Sequence, residues 1–238
     1  MHSRFPSRRF SLCALTISLA LTVCNAPFAS ADTTLPDAPE IGTGYRTGML
    51  TQHATRHMAA AANPLAAEAG REILRQGGSA VDAAIAMQAV LTLVEPQATG
   101  IGGGAFIMVW DGKKVHAYDG RETAPAGATE KLFLNPDGTP MAFTQAQIGG
   151  RSVGTPGVMR ALELAHRTQG RLPWAKLFAP AIRLAEQGFP ISPRLHKQIV
   201  ASPFLPHSPA MAAYFLNADG SPKAVGTTLK NPKLAAVL

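Results

Sequence analysis

The chain has 238 residues, with 22 Lys and Arg against 15 Asp and Glu, a formal net charge of +7 and only two cysteines. The basic excess is spread along the chain with no Lys/Arg cluster, so there is no nucleic-acid footprint. Both cysteines, Cys13 and Cys24, sit in the first segment of the chain, so thiolate chemistry is excluded for the rest.

Residues 1–31 read as a secretory signal peptide. Arg4, Arg8 and Arg9 form a positive start, Leu12 to Cys24 is an apolar run, and Ala29-Ser30-Ala31 is an A-x-A cleavage site. The run is too short for a comfortable membrane span. Ser7-Arg8-Arg9 hints at a twin-arginine signal, but Ser11 stands where that pattern wants an apolar residue, which favours the general secretory route. Cleavage after Ala31 predicts a periplasmic or secreted protein without membrane attachment. It lowers the net charge to +4 and leaves residues 32–238 as one domain without cysteine.

Asp32 to Arg56 is an arm rich in Pro, Gly and Thr. Asn63-Pro64 is an N-cap followed by a proline in the first turn, predicting a helix to about Gln76 that stops at Gly77-Gly78. Ser79-Ala80-Val81-Asp82 resembles a capping box for a second helix, whose body, Ala83 to Val94, is so apolar that burial on all sides is expected. Glu95-Pro96 ends it, and Gly100-Ile101-Gly102-Gly103-Gly104 follows. Ala105 to Trp110 is continuously apolar and predicts a strand covered on both faces. Asp111-Gly112 turns the chain into a second strand, Lys114 to Asp119, with Val115 and Ala117 on one face and His116 and Tyr118 on the other.

After a loop with Pro136-Asp137-Gly138, helices are predicted over Val158 to Gln169, over Trp174 to Gln187 with a break at Pro180, and over Pro193 to Ala201. Asp219-Gly220 is a turn. Asn231-Pro232 repeats the N-cap and proline signature, and an apolar run ends the sequence at Leu238. This reads as a helix just begun, hence a fragment; the alternative is a short terminal helix docked on the body.

Arg121 is the principal candidate site residue. It lies just past the second strand, in Arg121-Glu122-Thr123-Ala124-Pro125, where a guanidinium fork could hold a carboxylate through two parallel hydrogen bonds. Asp119 is expected to help orient it. The run Gly100 to Gly104 follows a helix and precedes a strand, the reverse of a dinucleotide fingerprint, and is read as tight backbone packing, with direct substrate contact as the alternative. His53, His57, His116, His166, His196 and His207 show no metal-ligand spacing and are read as surface or capping residues. Glu95 and Asp119 end a helix and a strand and do not suggest a glycosidase pair. Ser152-Val153-Gly154 is not a nucleophile elbow. No cofactor or metal is implied.

Several blocks in register resemble the large subunit of γ-glutamyltransferases (glutathione hydrolases). They are Asn63-Pro64-Leu65-Ala66, Gly77-Gly78-Ser79-Ala80-Val81-Asp82, Glu95-Pro96, the glycine run with Ala105-Phe106, and Arg121 to Pro125. Val153 to Gly157, Gly170 to Trp174 and Pro180 to Phe189 agree in order and spacing. Ser79 stands where many members have Asn, and either caps a helix.

The resemblance implies an α+β (αββα) N-terminal-nucleophile hydrolase sandwich, incomplete in this chain. It also implies a precursor that cuts itself into two subunits. The freed N-terminal threonine attacks a γ-glutamyl amide, using its own amine as base, and passes the acyl group to water, an amino acid or a peptide. Arg121 matches the arginine that grips the substrate α-carboxylate. The implied partners are glutathione, other γ-glutamyl compounds and the small subunit of the same precursor. The nucleophile's Thr-Thr-His-like segment is missing: Thr33-Thr34 adjoins the signal site, and Thr227-Thr228 is followed by Leu229-Lys230. The chain alone is therefore expected to be inactive. The competing expectations are a truncated inactive product or γ-glutamyl-binding module, and an amide acylase of the same superfamily.

Overall fold

A computed structural model describes residues 50–238. The signal-like segment and the cleavage site after Ala31 lie outside the described residues, as does most of the arm.

Helix α1 (Pro64–Arg75) starts where Asn63 Oδ1 accepts the Leu65 N–H at 3.0 Å, with proline at the first position. It buries Ala66, Ala69, Gly70 and Ile73, one stripe at helical spacing. Helix α2 (Ala80–Val94) opens on a reciprocal capping box: Ser79 Oγ accepts the Asp82 N–H at 3.1 Å, and Asp82 Oδ2 accepts the Ser79 N–H at 2.8 Å. None of residues 81–94 is exposed, so the expected all-round burial is observed. Ile73, Ile85, Val90 and Leu177 have no solvent exposure, and each such side chain contributes roughly 1.5–3 kcal/mol.

Asp82 is fully buried. Its Oδ2 also accepts the backbone N–H groups of Arg171 at 2.9 Å and Leu172 at 3.1 Å. One capping carboxylate thus pins a distant loop to the start of α2. Its Oδ1 has no hydrogen-bond donor and lies 3.6 Å from Nε2 of His166, which itself contacts Leu172 O at 2.8 Å. His166 is therefore a half-buried bridge rather than the surface or capping residue expected.

Strands β1 (Ala105–Trp110) and β2 (Val115–Gly120) form an antiparallel hairpin pairing Ala105 with Gly120 and Trp110 with Val115. Ala105, Ile107, Val109 and Tyr118 pack inward, towards helix α4 (Val158–Gln169). Tyr118 Oη lies 2.9 Å from Thr168 Oγ1 and accepts Gln169 Nε2 at 3.0 Å, which fixes the hairpin across the helix. The other face is bare: Phe106, Met108 and Trp110 are 71%, 74% and 63% exposed, and Val115 is exposed opposite Trp110. The expectation of cover on both faces is corrected. The described residues supply a helical layer on one side only, and an unbroken apolar run does not reveal whether its second cover is present.

Short helix α3 (Phe143–Gln147) lies in the long connection to α4. The break expected at Pro180 takes the form of a 3-10 turn, Trp174–Phe178, that passes into α5 (Ala179–Gln187), with proline in the first turn where it displaces no hydrogen bond. Gly188 (φ 101°) ends α5. Strand β3 (Phe189–Pro190), α6 (Pro193–Ala201), α7 (Pro209–Phe215), β4 (Thr228–Leu229) and α8 (Pro232–Val237) complete the order, with β3 and β4 antiparallel. Asn231 Oδ1 caps α8 at the Leu234 N–H (3.0 Å), and Leu234, Ala235 and Leu238 pack on the core. The terminal apolar run is a short docked helix. The mixture of helices and antiparallel strands is α+β.

A turn is used twice. In 133–140 and in 215–222, Phe-Leu-Asn-x-Asp-Gly-Thr/Ser-Pro closes through the same bonds. Asp137 Oδ1 accepts the Thr139 N–H and hydroxyl at 2.9 and 2.6 Å, and Asp219 Oδ1 accepts those of Ser221 at the same distances. Gly138 and Gly220 share φ 83°.

Candidate active-site wall

Arg121 leaves the end of β2 at the point where three separated segments meet. Its backbone N–H donates to Asp119 Oδ1 at 3.0 Å, so Asp119 holds the main chain of Arg121. The guanidinium faces Glu122 instead: Nη2 lies 3.3 Å from Glu122 Oε2, an ion pair without a directed hydrogen bond. The arginine side chain is 56% exposed, leaving donors free for a ligand. The adjoining Thr123 pairs with Thr155, N–H to O at 3.2 Å one way and 2.8 Å the other.

The third segment is the glycine run. Gly103 O accepts the N–H groups of Gly157 and Val158, both at 3.2 Å. A β-carbon on Gly104 would collide with Glu122 Oε2 and stand 2.8 Å from Arg121 Cα. One on Gly157 would stand 2.8 Å from Arg121 O. The packing expectation therefore holds for Gly104, whereas a β-carbon on Gly103 would make only ordinary contacts and Gly102 has nothing near it. Glycine is required at 104 and 157 because two backbones approach closer than any side chain allows.

Glu122, Gly157 and the Thr123–Thr155 pairing escaped the sequence reading. Their signal was the closeness of Arg121 to Glu122 and the recurrence of Gly and Pro in Gly154-Thr155-Pro156-Gly157.

Glu95 is buried in a polar network away from the surface. Its Oε1 accepts Asn63 Nδ2 at 3.3 Å and its Oε2 accepts Gln97 Nε2 at 2.6 Å. Arg194 Nε lies 2.8 Å from Oε2, off the line of its N–H bond. Among the described residues no group of three or more His, Cys, Asp or Glu is placed to hold a metal ion. His116 instead pairs with Asp111 at 2.6 Å, and His196 Nδ1 lies 3.0 Å from Lys223 O. A depression of about 520 Å³ beside α4, lined by His166, Trp174 and Glu163 among others, does not include Arg121.

The arrangement presents a half-exposed cation on a glycine-packed platform beside the Glu122 carboxylate, with guanidinium donors available to an anion. Among the described residues no nucleophile with an adjacent base stands with it.

The gamma-glutamyltranspeptidase family model matches residues 66–238. The glutathione hydrolase proenzyme of Bacillus subtilis (strain 168) is 45% identical over 144 residues, covering 60% of this chain and 24% of that protein. The glutathione hydrolase proenzyme of Escherichia coli (strain K12) is 32% identical over 226 residues, covering 93% of this chain and 38% of that one. The chain thus spans about a quarter to two fifths of these relatives' length. Among solved structures, Helicobacter pylori gamma-glutamyltranspeptidase superposes with a TM-score of 0.73 at 30% identity, over 79% of this chain and 54% of that chain. The likeness carries the N-terminal-nucleophile hydrolase fold, and the matched span includes the glycine run, Arg121 and Gly157 together. The chain belongs to the gamma-glutamyltranspeptidase family.

Proposed function

We propose that this chain is the N-terminal part of the large subunit of a γ-glutamyltransferase/glutathione hydrolase, residues 32–238 following a cleaved signal. Arg121 binds the α-carboxylate of the γ-glutamyl group. The observation that carries the reading is the placement of Arg121: half-exposed at a strand end, its backbone clamped by Asp119, Gly104 and Gly157. A carboxylate held there through two guanidinium hydrogen bonds would be fixed in direction as well as position.

In the complete enzyme a threonine hydroxyl, deprotonated by its own amine, attacks the γ-carbonyl carbon. The C–N bond breaks, the amine leaves with a proton, and an ester joins the glutamyl group to threonine. Water or an amine then releases it. This reading assigns the threonine, and with it turnover, to the complete two-subunit protein, and substrate binding to Arg121. The bare face of Phe106, Met108 and Trp110 supports this reading, because a second sheet from the small subunit would cover it. Export to the periplasm or medium rests on the signal-like first 31 residues.

The test is Arg121→Ala in the two-subunit enzyme assayed on glutathione. KM should rise by at least about a hundredfold, the loss of a charge-assisted pair, while self-cleavage proceeds. An unchanged KM would exclude Arg121 as the carboxylate grip. The second reading, an inactive γ-glutamyl-binding module, is favoured by the missing Thr-Thr-His segment; it requires that adding a small subunit restore no hydrolysis.

A further inference from the structure

The buried carboxylate of Glu95 has no place in the chemistry above, yet it touches four parts of the chain. It closes the C-terminus of α2, being the residue after Val94. It accepts the amide of Asn63, whose other amide atom caps α1, so the orientation of that side chain is set. It faces Arg194 in the first turn of α6. It accepts Gln97 at 2.6 Å, and its backbone carbonyl accepts the N–H groups of Ala98 and Thr99 at 3.1 and 3.0 Å.

These last three bonds fix the turn immediately before Gly100. The run that follows, 100–104, has no side-chain packing to hold it at Gly102. It is anchored at its far end by Gly103 O, which accepts Gly157 and Val158, and by the contact of Gly104 with Arg121 and Glu122. A glycine segment fixed at only one end would sample many conformations. The Glu95 turn supplies the other end. Burying a carboxylate against an arginine gives little net stability compared with an apolar pair, so a purely structural account explains this network poorly.

We propose that Glu95 is a positioning residue: through Gln97 and the 97–99 turn it holds the glycine run against Arg121 and Glu122, and so sets the direction of the carboxylate-binding guanidinium. This rests on the reading of Arg121 as the carboxylate grip.

The experiment is amide hydrogen exchange and L-glutamate titration by NMR on the full chain, unsubstituted and as Gln97→Ala and Glu95→Gln. Glu95→Gln leaves the part-buried Arg194 without its counter-charge and risks unfolding the chain. Gln97→Ala removes only the link to the turn and keeps the proposal testable. The expected result for Gln97→Ala is about tenfold faster exchange of the Gly157 and Val158 amides, the loss of one hydrogen bond, with the α1 and α5 amides unmoved. Arg121 side-chain signals should respond to L-glutamate in the unsubstituted chain and several-fold more weakly in the variant. Unchanged exchange at Gly157 and Val158 overturns the proposal. Faster exchange with no L-glutamate response even in the unsubstituted chain overturns the Arg121 reading instead, and reduces Glu95 to a packing role.

Discussion

A β-carbon at Gly104 would stand 2.8 Å from the Cα of Arg121, closer than such atoms approach in folded proteins. Gly104→Ala therefore has to push the glycine run away from the arginine and its neighbour Glu122. The expected cost is about 1–3 kcal/mol, as for overpacking in a tight interior. Chemical denaturation of the variant measures it. A midpoint unchanged within error would show that the two backbones part freely.

Arg121→Lys keeps the charge and loses the planar fork. In the completed enzyme it should recover little of what Arg121→Ala removes, with KM for glutathione still raised at least about tenfold. Recovery to the unsubstituted KM would mean that charge alone is used.

Asp82→Ala leaves the N–H groups of Ser79, Arg171 and Leu172 without their acceptor in a part-buried site. A loss of about 1–3 kcal/mol in unfolding free energy is expected, the cost of stranding donors that water reaches only in part. Urea denaturation followed by circular dichroism reads the loss directly, and a value near zero would mean that water replaces the carboxylate.

The paired turns predict matched titrations. The carboxyls of Asp137 and Asp219 are held below the ordinary carboxylate range, first by the hydroxyls of Thr139 and Ser221 and then by their backbone N–H groups. A lowered folded value means the contribution is present above pH ~4 and is lost as pH falls through that value. Carbon-detected NMR titration should show both aspartates below the usual value. Thr139→Val should raise Asp137 and leave Asp219 in place.

Phe106→Ser with Trp110→Ser should change the stability of this chain by no more than about 0.5 kcal/mol, because both side chains already face solvent. The same pair should sharply weaken association with a small subunit. A large loss of stability in the isolated chain would indicate that this face is covered within it.

The sequence was most legible where local chemistry decides the structure. Asn63-Pro64 and Ser79 to Asp82 set two helix starts through their own side chains, and the helix predicted to reach Gln187 ends there. The hairpin was also found, but its solvent-facing side was not, because an apolar run reports a demand for burial and not its fulfilment. Arg121 could be singled out by its surroundings. Its tie to Gly104 and Gly157 could not, since those contacts join segments far apart in sequence. The same holds for Asp82: its capping role is local and readable, while its grip on Arg171 and Leu172 joins residues 89 and 90 positions apart.

The β1–β2 hairpin has a further consequence. Among the described residues it pairs with no third strand, so both outer rims present backbone N–H and C=O groups to water while one face presents Phe106, Met108 and Trp110. A strand added along either rim would pair those backbone groups, and any apolar layer laid on the face would bury the three side chains. The hairpin thus offers two separable kinds of contact, backbone pairing at its rims and apolar cover on its face.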